Sequence, residues 1–356
     1  MARFAYRLPA FATDFSAAIS MISALGGMSV LHAPTGCMGD YCGFDEPDWI
    51  RSPGMAYCSA MREDEAIFGN DEALLDKIDE SCRRMEPPFV AIVGSPITAL
   101  IGADLQGMAG LSEDRTGVPT IAVDATGFGT YQDGLFKTFE ACVDRFCDGP
   151  KGSGRDVSIV GLNKFDYHVL DDGRRFEIEL SARGSVGALP GSSIKDLASN
   201  AGGGTSYAVS YAGLMMARLL EKRFGAPVKI LRYGGEPAPD SGRRCLIVGD
   251  QVMSGYLRGM AESEFGHSCD VGTLFGFDRR LSEPGDFKAE SERELKSRME
   301  SGGYDYIVCD PMIAALAPES ARIVPISHPA VSSKVHWNGF VPLHDAFGAM
   351  KAVMGR

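Results

Sequence analysis

Short apolar runs alternate with amphipathic segments along almost the whole chain, and this alternation constrains the fold more than any other feature of the sequence. The runs at 89–93, 157–162, 244–248 and 306–309 are rich in Val and Ile, as buried strands are. The segments between such runs repeat their apolar residues at helical spacing. Parallel strands that are joined by helices form a sheet covered on both faces. The sequence therefore predicts an α/β protein.

Two linkers rich in Gly and Pro divide this pattern into three parts. They lie at 148–154 and 236–242, and such compositions are typical of connections between compact units. We predict three consecutive Rossmann-like domains, each a doubly wound parallel sheet, around a central cleft. The predicted domains are residues 1–150, residues 151–238, and residues 239–356 with a C-terminal helix. A length of 356 residues suits two or three domains.

Charge and apolar content exclude several classes of function. The chain carries 35 Lys and Arg against 47 Asp and Glu, whereas a nucleic-acid-binding protein needs a basic face. The longest apolar run, 89–103, is shorter than the roughly 20 residues of a membrane span and contains Gly94 and Pro96. The N-terminal apolar stretch contains Asp14 and has helical spacing, which favours a domain helix over a signal peptide. We predict a cytoplasmic protein that binds neither nucleic acid nor membrane.

The nine cysteines do not have the pattern of a disulfide scaffold. Their number is odd and the chain is large, whereas disulfide frameworks are typical of small secreted domains. Cys37, Cys42 and Cys58 are close in sequence but lack the paired Cys-x-x-Cys of zinc sites. Their spacing suits loops that converge on an iron–sulfur cluster. Five others lie in predicted helices or strands and are interpreted as packing residues: Cys82, Cys142, Cys147, Cys245 and Cys309.

Two motifs surround these thiols. The first, His32-Ala-Pro-Thr-Gly-Cys37, follows a predicted strand, and ligands collect beyond the carboxyl ends of strands in open α/β sheets. A Pro and a Gly before the thiol favour a tight turn with the sulfur outward; the alternative is a plain strand-to-loop turn. The second motif is Cys58-Ser-Ala-Met-Arg-Glu-Asp-Glu-Ala-Ile-Phe-Gly69. Alone, it is also compatible with a buried Cys at the start of a helix.

Taken together and in order, these motifs resemble the component 1 family of nitrogenases. That family includes the catalytic α and β subunits, the cofactor scaffold proteins, and the catalytic components of dark-operative protochlorophyllide reductase and of the nickel-sirohydrochlorin reductive cyclase. The chain is shorter than a nitrogenase subunit and is similar in size to the compact cyclase-like members. Further segments carry the resemblance: Gly94-Ser-Pro-Ile-Thr-Ala-Leu-Ile-Gly-Ala-Asp-Leu105, Gly117-Val-Pro-Thr-Ile-Ala-Val-Asp124, Thr126-Gly127, Tyr131-Gln-Asp-Gly134 and Val157-Ser-Ile-Val-Gly-Leu-Asn163.

The resemblance implies cluster ligands residue by residue. Cys37 matches the family's first cluster cysteine and Cys58 its second. The third falls at Pro96, which has no ligating side chain, and the neighbouring Ser95 is a weak alternative. With Cys42 as a possible extra ligand, one chain supplies two or three thiolates to an iron–sulfur cluster of the 4Fe–4S type. Two Cys from each of two subunits would complete such a cluster at a dimer interface; a three-plus-one arrangement with a different partner is the alternative.

The ligands of the family's iron–molybdenum cofactor have no counterparts here. Ser333 stands at the place of the cofactor histidine, with His328 and His336 nearby, and residues 180–205 contain no cysteine. We therefore expect no iron–molybdenum cofactor and no dinitrogen reduction.

The resemblance implies a redox enzyme component. A separate ATP-dependent iron–sulfur reductase, similar to the nitrogenase iron protein, would supply low-potential electrons for the reduction of an organic or tetrapyrrole substrate in the cleft between the domains. The implied assembly is a homodimer, or a heterodimer or heterotetramer with a paralogous subunit. Two alternatives remain open: a non-catalytic scaffold that assembles or carries a metal cofactor, and a cluster-free α/β binding protein.

Overall fold

Three parallel sheets follow one another along the chain, each with helices on both faces. The computed structural model describes residues 6–47, 49, 54–69, 71–149, 155–332 and 341–355, and within them all ladders between named strands are parallel. The predicted α/β class with doubly wound, Rossmann-like sheets is confirmed. The domain boundaries after residues 150 and 238 stay predictions, and 150–154 lie outside the described residues.

The first sheet has the strand order β2-β1-β3-β4. The chain runs from β1 to β2 on one side and then crosses to β3 on the other side of β1. Its strands are β1 (Met28–Leu31), β2 (Ala56–Cys58), β3 (Val90–Val93) and β4 (Thr120–Val123). Its helices are α1 (Asp14–Ala24), α2 (Thr35–Asp40), α3 (Glu63–Phe68), α4 (Asp71–Met85), α5 (Pro96–Ile101), α6 (Leu105–Thr116) and α7 (Tyr131–Phe146), with a π-helical turn at Tyr41–Asp45 after α2.

The second and third sheets have the orders β6-β5-β7-β8 and β11-β10-β9-β12-β13. The second part contains β5 (Val157–Val160), α8 (Val169–Leu180), β6 (Val186–Leu189), α9 (Ile194–Asn200), β7 (Thr205–Ala208), α10 (Tyr211–Phe224) and β8 (Val228–Ile230). The third contains β9 (Arg244–Val248), α11 (Gln251–Phe265), β10 (Ser268–Thr273), β11 (Phe287–Lys288), α12 (Glu292–Ser301), β12 (Tyr306–Cys309), β13 (Arg322–Pro325), α13 (Pro329–Ser332) and α14 (Ala346–Met354). No helix in the described part of the chain is long and apolar enough to cross a membrane.

The segment 97–109, which the apolar pattern predicts to be one helix, is two helices. Gly102 has a φ of +67° at the C-cap of α5, a conformation that favours glycine. Asp104 then caps α6, because its side chain accepts a hydrogen bond from the backbone N–H of Gly107. The prediction was wrong here because a C-cap and an N-cap stand only two residues apart.

Helices α1 and α7 approach each other so closely that Gly134 has no room for a side chain. A Cβ atom at Gly134 would lie 1.9 Å from the backbone oxygen of Asp14. The Asp14 carboxylate also accepts hydrogen bonds from the backbone N–H groups of Thr126 and Gly127, which lead into α7. This contact fixes the loop between β4 and α7.

We expect Gly134→Ala to lower the free energy of unfolding by about 2 kcal/mol, because the methyl group forces two backbones apart. Chemical denaturation measures the loss. The control is Gly110→Ala in the exposed middle of α6, where a Cβ would meet nothing within 4 Å. That change should leave stability equal or raise it by up to about 1 kcal/mol, the helix propensity difference. Equal effects of the two substitutions would contradict the close contact.

Candidate functional site

Cys37 and Cys58 lie together at the carboxyl ends of two neighbouring strands. Leu31 at the end of β1 is opposite Cys58 at the end of β2, and Cys37 lies in α2, which follows β1 after a short turn. The Sγ atom of Cys58 is 3.2 Å from the carbonyl oxygen of Ala33 and 3.6 Å from that of Pro34. The structure thus places the second thiol against the turn that leads to the first.

Burial raises the pKa of both thiols above the ordinary value. For Cys37, the nearby Asp40 and the thiol of Cys58 raise the pKa further. For Cys58, the backbone N–H of Ala60, 3.4 Å from Sγ, and the ammonium group of Lys77 act in the opposite direction. A metal that binds these two residues must therefore displace their protons.

Cys42 does not join the other two thiols in a ready set of metal ligands. It lies in the π-helical turn after α2, half-buried against the core, and π-helical turns are frequent at functional sites. Among the residues that the structure describes, no group of three or more His, Cys, Asp or Glu side chains is arranged to hold a metal ion. Cys37 and Cys58 fit part of an iron–sulfur site, since they are half-buried thiols that come from two neighbouring elements, α2 and the end of β2.

Ser95, the alternative ligand, is used by the fold. Its side chain is fully buried, donates a hydrogen bond of 2.8 Å to the carbonyl oxygen of His32, and caps α5 by accepting from the backbone N–H of Thr98. Pro96 stands in the first turn of that helix. The Ser95 hydroxyl therefore holds α5 to the end of β1 and is not available to a metal.

His32 and Ser59 link the segment that leads from β1 to Cys37 with the segment that follows Cys58. We call these two segments, 32–37 and 58–62, the cysteine-bearing loops. The Oγ atom of Ser59 accepts a hydrogen bond of 3.0 Å from the backbone N–H of Ala33 and lies 3.0 Å from Nδ1 of His32. Lys77 donates a hydrogen bond of 2.5 Å to the carbonyl oxygen of Ser59. Sequence reasoning missed these roles, although both residues stand beside the predicted cysteines in the two motifs.

A second group of polar residues is buried where the carboxyl ends of the three sheets meet. Tyr131 donates a hydrogen bond of 2.6 Å to Asp166, and Nε2 of His328 lies 3.1 Å from the same carboxylate oxygen. Gln132 donates a hydrogen bond of 2.7 Å to Asp250. Burial and the nearby charge of Asp166 raise the pKa of Asp250 to about 7. We call these five residues the junction cluster.

The junction cluster is part of the buried interior where the three sheets meet. All five of its side chains are buried, and the ring of Tyr131 packs against those of Phe165, Phe275 and His328. The substrate site that was expected in the cleft between the domains stays a prediction. His328, near the place of the family's cofactor histidine, belongs to this cluster; Ser333 and His336 lie outside the described residues.

Comparisons with known proteins agree with the fold. A sequence model of the family described as nitrogenase component 1 type oxidoreductase matches residues 15–233. The solved structure titled "Nitrogenase Cp1 at pH 6.5" superposes with a TM-score of 0.73 over 99% of this chain and 94% of that chain. The two sequences are 14% identical, so this likeness concerns the fold alone.

Similar sequences include proteins of three kinds. The nitrogenase iron-molybdenum cofactor biosynthesis protein NifE of Clostridium pasteurianum is 27% identical over 52% of this chain and 41% of its own length. The nitrogenase molybdenum-iron protein beta chain of Sinorhizobium fredii is 23% identical over 44% and 31%. Component CfbD of the Ni-sirohydrochlorin a,c-diamide reductive cyclase complex of Methanothermobacter thermautotrophicus is 25% identical over 37% and 36%. The matched segments span less than half of each relative.

Proposed function

Because the chain belongs to the nitrogenase component 1 type oxidoreductase family, we propose that it is the cluster-binding component of a reductive enzyme that acts on an organic substrate, tetrapyrroles included. Cys37 and Cys58 hold one half of a 4Fe–4S cluster, and two thiolates of a second subunit hold the other half. When bound, such a cluster supplies one-electron transfer at low potential. The observation that carries the proposal is the position of the Cys58 thiol at the end of β2, against the turn that leads from β1 to Cys37.

Ligand counting favours a cluster shared between subunits. One chain offers two neighbouring thiols, whereas a 4Fe–4S cluster is held by four. Similar sequences include one chain of nitrogenase and one component of a cyclase complex, which supports a partner subunit. The partner is an identical chain or a paralogue.

Anaerobic purification and reconstitution, followed by iron and sulfide analysis and EPR spectroscopy, tests the proposal. A cluster shared by two identical chains gives about two iron atoms per chain and a dimer by analytical ultracentrifugation. Colourless, iron-free protein after reconstitution would leave only the fold in common with the family.

An exposed apolar ridge beside the Cys58 loop is where we propose that the ATP-dependent reductase docks. It consists of Ile67 and Phe68 on α3 and Leu100 and Ile101 on α5, and Phe68 is 85% exposed. Contiguous exposed apolar surface marks interaction sites. Carboxylates in the first turns of α3 and α4 border the ridge, so the docking face of the reductase should be basic around an apolar centre.

We expect Phe68→Ser to slow ATP-dependent reduction of the cluster about tenfold or more, because an aromatic side chain at the centre of an interface contributes strongly to binding. Stopped-flow absorbance with a reductase of the nitrogenase iron-protein type measures the rate. Leu170→Ser is the control, since Leu170 is 81% exposed on α8, in the second part of the chain. If both variants behave alike, the ridge is not the docking surface.

A second candidate function is a scaffold that carries a metal cofactor without turnover. NifE proteins of several organisms are among the similar sequences, and their names describe cofactor biosynthesis. A scaffold would lose its iron to an acceptor apoprotein during incubation, whereas an enzyme component would retain it through reduction by the reductase. Measuring iron in the separated proteins distinguishes the two functions.

A further inference from the structure

A cleft of about 420 Å³ opens beside the Cys58 loop and lies between α3, α4 and the connection from α5 to α6. His32 and Ser59 line it, so it reaches the residues that tie the two cysteine-bearing loops together. Ile67, Phe68 and Ile101 supply apolar walls. This volume and mixed lining are typical of a site for a small molecule.

The hydrogen bonds of Ser59 determine which nitrogen of the His32 ring carries the proton. The Ser59 hydroxyl has one proton, which we assign to the hydrogen bond of 3.2 Å with the carbonyl oxygen of Ala33. Its lone pairs accept from the backbone N–H of Ala33 and from Nδ1–H of His32, both at 3.0 Å. Nε2 of a neutral His32 is then an acceptor. Burial lowers the pKa of His32, which favours the neutral ring.

His32 is nine-tenths buried, and within the described chain its Nε2 has no hydrogen-bond partner, while its other nitrogen is bound to Ser59. The ring lines the cleft, and we infer that Nε2, the nitrogen that does not bond to Ser59, is the one offered to a ligand there. An acceptor of this kind in a cavity calls for a ligand that donates a hydrogen bond.

The charges around the cleft select the same kind of ligand. Glu65, Asp71 and Asp104 line it, against the single ammonium group of Lys77. The ammonium group of Lys77 already donates a hydrogen bond to the carbonyl oxygen of Ser59. The lining of the cleft therefore combines apolar side chains with an excess of carboxylates, which disfavours an anionic ligand and favours a cation.

We propose that this cleft binds a small organic cation, such as an amidinium, a guanidinium or a protonated amine on an apolar body, with its donor group toward His32 and Asp71. The cation is the substrate of the enzyme only if the proposed function holds, since the cleft and the cysteine-bearing loops share Ser59; the binding itself does not depend on a cluster. A macrocycle with several carboxylates would place like charges beside Asp71 and Asp104. Because Phe68 and Ile101 also belong to the ridge, a docked reductase would cover the mouth of the cleft.

Benzamidine and benzoate are the probes, because they have the same shape and opposite charges. Isothermal titration calorimetry on the iron-free full chain should show saturable binding of benzamidine at millimolar concentrations and none of benzoate. Asp71→Asn should weaken benzamidine binding about tenfold, the effect of losing one hydrogen bond to a charged group. Asp71→Lys should abolish it.

Asp114→Asn, an exposed substitution on α6, is the matched control and should leave the affinity for benzamidine unchanged. The proposal is overturned if benzoate binds as tightly as benzamidine, if neither binds, or if the Asp71 and Asp114 variants lose the same affinity. Circular dichroism of each variant checks that it is folded. If benzamidine does not bind, the cluster assignment still stands. If the chain binds benzamidine but no iron, the binding proposal stands and the proposed function fails.

Discussion

Cys37→Ala protein should emerge from anaerobic reconstitution essentially free of iron and should sediment as a monomer. With Cys37 removed, each chain keeps one of its two neighbouring thiols, and a cluster shared by two subunits would keep only half of its four thiolates. Because the cluster would bridge the subunits, its loss removes a link between them as well as the iron. Iron analysis and analytical ultracentrifugation measure the two effects on one sample.

Cys309→Ala provides the matched control for a lost thiol. Cys309 is buried in β12, in the third sheet, so its truncation should cost about 1–2 kcal/mol of unfolding free energy by loss of packing. The iron content and the dimer should be unchanged. A Cys37→Ala protein that keeps a full cluster, or a stable wild-type monomer with four iron atoms, would refute the shared site.

Cys42→Ala separates the two arrangements of ligands. If the cluster takes two thiolates from each subunit, this variant keeps its iron; if one chain supplies three, the variant loses iron as the Cys37 variant does. Cys42 lies in a π-helical turn and packs against the core, so its unfolding free energy should be compared with that of Cys309→Ala before the iron content is interpreted.

The strands with a marked apolar run could be predicted from sequence, whereas the three shortest edge strands could not. All four residues of β3 and of β5 are buried, and their apolar runs indicate this directly. The edge strands β2, β8 and β11 are two or three residues long. Residues 56–58, Ala-Tyr-Cys, are only partly buried and carry no distinctive pattern. They form a strand because they pair with β1.

The same pairing explains what could be predicted of the site. The motifs indicated Cys37 and Cys58 as candidates, but their proximity depends on the register between β1 and β2, which no local pattern encodes. The bond between His32 and Ser59 depends on that register too. The junction cluster was missed for a stronger reason, because its residues follow strands of three different sheets and meet only when these sheets pack together.

Asp250 should contribute a loss of stability as the pH rises from about 4 to about 7, and an Asp250 variant should isolate that contribution from those of the other titrating groups. Burial and the nearby Asp166 raise the pKa of Asp250 from the ordinary 3.8 to about 7. Between these values the folded protein holds a proton that the unfolded chain has released. The free energy of unfolding therefore falls with rising pH, by at most about 1.4 kcal/mol per pH unit for one group. Below and above the window, this contribution is constant.

Asp250→Asn isolates that contribution because it removes the titration and keeps the helix cap. The Asn oxygen can accept from the backbone N–H groups of Val252 and Met253, as Asp250 does, while its amide group faces the donor of Gln132, as the O–H of a protonated Asp250 does. Chemical denaturation over a pH series gives the wild-type-minus-variant difference in unfolding free energy, which should fall as the pH rises through the window. Asp45, whose pKa burial raises to about 6, titrates in both proteins and cancels. A difference that stays flat would mean that Asp250 is ionised in the folded protein, so that Gln132 and the backbone N–H groups around it, rather than a proton, stabilise its buried charge.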